Sequence, residues 1–100
     1  MNIAPFEANV ISSAIDYFVK QDIKGVSVQQ KEKLNASAIE AKAIIASKNK
    51  EIGIEHIQAM YAALEMYIEN MKKSVLANPK SLATAEELAE RFYAFLEPLS

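Results

Sequence analysis

One hundred residues, 51% of them hydrophobic, are enough for one core and one domain. With 24% charged residues and a net charge of −2, the chain is neither a disordered acid nor a polycation built to neutralise phosphates. The absence of cysteine removes disulfides, thiolate nucleophiles and zinc–thiolate sites together, and leaves stability to packing.

The opening Met1-Asn2-Ile3-Ala4-Pro5 has neither the positive nor the apolar region of a secretory signal, so a cytoplasmic location is expected. The longest apolar run, Ala59 to Leu64, falls far short of the roughly 20 residues that cross a bilayer. Two glycines and three prolines leave few hairpin turns, and each long periodic stretch repeats at helical spacing. The expected fold is all-α, a four-helix up-and-down antiparallel bundle in a single domain spanning 1–100.

The first helix opens at Pro5, whose fixed φ suits the first turn, and runs to about Lys20 or Ile23 before Gly25 ends it. Ser27 and Gln30 match a capping box, so the second helix is expected from Val28 to about Lys50. Asn49 to Gly53 supply the next break. The third helix is expected from Ile54 to about Ala77, where Asn78-Pro79 stops it. Thr84 and Glu87 form a second capping-box match and mark the start of the fourth, with Glu87 and Arg91 spaced for an i,i+4 ion pair and Pro98 closing the helix.

On the third helix Ile57, Tyr61, Leu64, Ile68, Met71 and Val75 make a core seam. Met60, Ala63 and Tyr67 widen it on one flank, and Ala59 and Met66 carry it almost to the opposite side. The first helix repeats this excess: beside Phe6, Val10, Ala14 and Tyr17 lie Ile11, Ile15, Phe18 and Val19. The second has a narrow seam of Leu34, Ala38, Ala41 and Ile45, with a separate stripe of Ala36, Ile39, Ala43 and Ala46 that implies neighbours on two sides. The fourth packs Leu88, Phe92, Phe95 and Leu99, with Ala89, Tyr93 and Leu96 beside them.

Such wide apolar arcs have two explanations. Either the bundle surrounds the first and third helices on several sides, or part of each arc meets another chain. The second explanation nominates Met60, Met66 and Tyr67, or Ile11, Ile15 and Val19, as interface anchors, in a homodimer or with another protein.

Chemistry is sparse. His56 is the single histidine, which excludes a multi-histidine metal site; position 53, where a Glu-x-x-His pair would need its carboxylate, is Gly. His56 is expected at the surface or its boundary. Glu65 with Glu69, and Glu86 with Glu90, share helical faces at i,i+4 spacing and read as solvated. Ser12, Ser13 and Ser37 lack any nucleophile-elbow glycines. No catalytic residue, metal or cofactor is expected.

Lysines 31, 33, 42, 48 and 50 scatter around the second helix without an arginine, so nucleic acid is not an expected partner. Nor is a membrane, since the wide apolar faces lack a basic flank. The size, the missing cysteine and the four helices resemble small bacterial binding proteins such as bacteriocin-immunity proteins; the resemblance is architectural and covers no motif. The expected function is a non-enzymatic protein-interaction module working through an apolar helix face. One alternative is a partner-neutralising protein of the immunity or antitoxin type. Another is a small-ligand carrier or enzyme with a pocket near His56, Tyr61 and Tyr67.

Overall fold

Each helix begins where a nearby side chain satisfies backbone N–H groups that have no partner inside the helix. The computed structural model describes residues 3–22, 25–47 and 52–98 and the backbone of 99. It contains α1 (Pro5–Val19), α2 (Val28–Ala46), α3 (Ile54–Lys72) and α4 (Pro79–Leu96), followed by a 3₁₀ turn, Glu97–Leu99. These form a four-helix up-and-down antiparallel bundle, with no strand among the described residues.

At three of the four starts the side chain at the third helical position reaches back to the residue before the helix. Glu7 Oε1 accepts from the Ala4 N–H at 2.9 Å, Gln30 Oε1 from the Ser27 N–H at 3.2 Å, and His56 Nδ1 from the Gly53 N–H at 2.9 Å. The predicted Ser27–Gln30 box is complete, because Ser27 Oγ accepts the Gln30 N–H at 3.1 Å. Gly25 follows α1 with φ +83°, the left-handed conformation that only glycine adopts cheaply.

Three boundaries differ from the sequence expectation, two of them at one turn. α3 ends at Lys72 instead of Ala77, and α4 starts at Pro79 instead of beside Thr84. Asn78-Pro79 both ends one helix and begins the next: Asn78 Oδ1 accepts the Lys80 N–H at 2.9 Å, while Pro79 occupies the first position, where a missing N–H costs nothing. Thr84 is therefore inside α4. Arg91 pairs with Glu7 of α1 at 3.0 Å, not with Glu87. Val75 leaves the core seam and lies in the turn, 98% exposed. α2 likewise stops at Ala46, with the Ser47 N–H donating to the Ala43 carbonyl at 3.0 Å. Ile23, Lys48, Lys50 and the Leu99 side chain, all used in the sequence reading, lie outside the described residues.

The width of each apolar arc follows the number of neighbours. α1 and α3 each pack against all three other helices, whereas among the described residues α2 meets only α1 and α3. A helix with three neighbours needs a wide arc and one with two needs a narrow seam. The width of both arcs thus matches the number of helices that α1 and α3 pack against within the chain. Met60 is 0% exposed and Ile11 and Ile15 are each 1% exposed within the single chain, while Val19, Met66 and Tyr67 are half-buried and packed against them. Of the six residues nominated as anchors, Met60, Ile11 and Ile15 therefore belong to the core of the single chain, while Val19, Met66 and Tyr67 keep part of their surface exposed. The reverse correction applies to α2, whose stripe of Ala36, Ile39, Ala43 and Ala46 faces outward, with its two neighbours sharing the seam around Ala38 and Ala41.

Lysines of α2 secure α1. Lys31 Nζ donates to the Phe18 carbonyl at 3.0 Å and to Asn35 Oδ1 at 2.7 Å, bringing positive charge to the last turn of α1, which has no basic residue of its own. Burial pushes its pKa down, and nearby Asp22 partly opposes that. Lys42 reaches Asp16 at 2.6 Å. Among the described residues no helix is long and apolar enough to cross a membrane.

Candidate functional site

Tyr61, Glu65, Ile68, Glu69 and Lys72 share one face of α3, and Glu86, Ala89, Glu90 and Tyr93 share one face of α4. Because these two helices run antiparallel and adjacent, the faces confront each other across an open groove of about 560 Å³. At one end the Tyr61 and Tyr93 rings lie 5.9 Å apart, tilted by 39°. At the other, Lys72 Nζ stands 4.0 Å from Glu86 Oε2. Buried Ile68 and Ala89 form the floor.

The walls hold four carboxylates against one ammonium, so the groove is negative. All four glutamates are exposed and accept hydrogen bonds freely from solvent or a ligand. Tyr61 differs. Burial first, then the Glu65 carboxylate and Tyr93, raise its pKa, so the phenol keeps its proton at neutral pH and remains a donor. Among the described residues no three histidine, aspartate or glutamate side chains converge as a metal site. The groove can chemically receive ammonium or guanidinium groups, by ion pairing along its walls and by cation–π contact at the tyrosines.

The other candidates scatter. His56, expected at the surface or its boundary, is 8% exposed, and its Nδ1 lone pair is engaged by the Gly53 N–H. That bond leaves the neutral ring's proton on Nε2, which faces Glu40 Oε2 at 3.6 Å. Tyr67 packs on Tyr17 with ring centroids 6.2 Å apart, away from Tyr61. Of His56, Tyr61 and Tyr67, it is Tyr61 that lines the groove. The residues that do meet, Glu65, Glu69, Glu86 and Glu90, read from sequence as two separate wet faces. The signal was their identical i,i+4 spacing; which helices face each other is a tertiary fact. Compared with family models, characterised proteins and solved structures, the chain matches none.

Proposed function

We propose that the chain is a non-enzymatic, cytoplasmic protein-interaction module whose α3–α4 groove receives a lysine- or arginine-bearing segment of another protein. The observation that carries this reading is the confrontation of Glu65 and Glu69 with Glu86 and Glu90 beside a tyrosine pair, in a groove open to solvent. Recognition then rests on a polar and aromatic cleft, since Ile11, Ile15 and Met60, the best-packed residues of the apolar arcs, are buried in the core. Titration calorimetry with a lysine/arginine-rich helical peptide tests it. Glu65→Lys combined with Glu90→Lys abolishes binding, and Tyr93→Ala weakens it about two- to fivefold, the range of one exposed cation–π contact. Equal affinity for the wild type and the charge-reversed variant would remove the groove from consideration.

A partner-neutralising protein is the same geometry applied to a cationic target, and co-purification with that target distinguishes it from a general adaptor. A homodimer is the other reading. It is supported best by the exposed stripe of α2, where Val28 and Ile39 are 75% and 56% exposed. Ile39→Glu dissociates such a dimer and leaves a monomer unchanged, as light scattering reports.

A further inference from the structure

The turn between α3 and α4 carries two adjoining aliphatic side chains, Val75 and Leu76, at 98% and 91% exposure. Scattered apolar residues at a surface need no explanation, but these are adjacent and sit on an ordered turn. The Ser74 N–H donates to the Met71 carbonyl at 3.0 Å, and the Leu76 N–H to Ser74 Oγ at 3.2 Å, so the backbone is satisfied locally while both side chains stand outward. Lysines flank the tip on both sides, all exposed: Lys72, which also stands 4.0 Å from Glu86, and Lys73 before it, and Lys80, whose Nζ lies 4.5 Å over the Phe6 ring, after it. From 70 to 85 the chain has no carboxylate at all. This stretch is a local basic collar on a molecule whose net charge is negative.

We propose that this turn docks the protein on an anionic membrane surface, with Val75 and Leu76 entering the boundary between headgroups and acyl chains and Lys72, Lys73 and Lys80 meeting lipid phosphates. Area and charge select this occupant. Two side chains are far too little for a stable protein interface, which needs roughly 800 Å² from each partner. A bilayer interface demands no matching shape and favours an apolar tip within a basic ring. Helix faces alone give no sign of this tip, because Val75 continues the helical stripe of α3 in sequence and leaves it only where α3 ends early, at Lys72. Docking is weak and reversible, since even a whole myristoyl chain anchors only marginally. It shares only Lys72 with the groove and rests on the turn, not on the groove's ligand.

Vesicle co-sedimentation of the full chain tests the proposal, with phosphatidylcholine alone against equal parts phosphatidylcholine and phosphatidylglycerol. The wild type pellets with the mixed vesicles only. Val75→Asn with Leu76→Asn lowers the partition coefficient about tenfold or more, and Lys73→Gln lowers it about fivefold. Because these positions are exposed, the variants keep the wild-type helical circular dichroism. The chain has no tryptophan, so Leu76→Trp adds a single reporter whose emission shifts blue with mixed vesicles and not with dissolved glycerol phosphate. Wild-type protein that ignores the mixed vesicles or pellets equally with both kinds overturns the proposal. So does a double asparagine variant that pellets like wild type, or a blue shift produced by glycerol phosphate.

Discussion

Glu7 joins two levels of the structure through its two oxygens. Oε1 closes the first turn of α1 on the Ala4 N–H, and Oε2 ties α1 to α4 through Arg91. The Ala4 N–H holds its carboxyl below the ordinary value of 4.5; burial opposes this, and Arg91 reinforces it. A depressed folded-state pKa stabilises the fold above the unfolded-state value, and that contribution disappears as pH falls through the folded-state value. Glu7→Gln should therefore cost about 1–2 kcal/mol in urea unfolding at neutral pH. The difference from wild type should shrink progressively in acid below the ordinary carboxyl range. Glu87→Gln, which removes the partner that i,i+4 spacing assigned to Arg91, should change stability by less than about 0.5 kcal/mol. The pairing was not legible because a helix wheel shows only partners on the same helix, and Arg91 found its partner 84 residues away.

Capping was the part of element structure most visible in the chain. Ser27 with Gln30 and Pro5 act as their residue types predict, because each satisfies or relaxes a purely local backbone requirement; Gly25 takes the left-handed conformation but in the turn after α1, which Lys20 already caps. The misread start of α4 has the same origin: Thr84 and Glu87 have the correct spacing for a cap, but Asn78-Pro79 offers an earlier one. Asn78→Ala should cost about 1 kcal/mol, whereas Thr84→Val, at a position inside the helix, should stay within about 0.5 kcal/mol. Gly25→Ala meets no neighbouring atom within 4 Å, yet should destabilise by about 1–2 kcal/mol, because the penalty lies in the positive φ alone. Thermal unfolding of these three variants separates the two capping assignments and isolates the backbone term.

At the scale of the whole molecule, helix number and the identity of the core were legible, but the difference between core and interface was not. An apolar arc states how much surface must be covered and is silent on who covers it. α3 is covered on three sides by its own chain, so Met60 and Ala63 are fully buried. The groove was hidden for the converse reason: its two glutamate pairs belong to different helices, and only their packing makes one site. Met60→Ala should cost about 2–5 kcal/mol, as expected for a core side chain truncated in a closed interior. If Met60 served an interface instead, the same change would alter self-association more than the unfolding free energy.

Sedimentation equilibrium of the wild-type chain at micromolar concentration, without partner or lipid, most directly tests the claim that one protomer shelters its own apolar arcs. The account predicts a single species at 11.1 kDa, independent of loading concentration. A species of twice that mass, dissociated by Met66→Glu or Tyr67→Glu, would contradict it and return the faces of α1 and α3 to a partner chain.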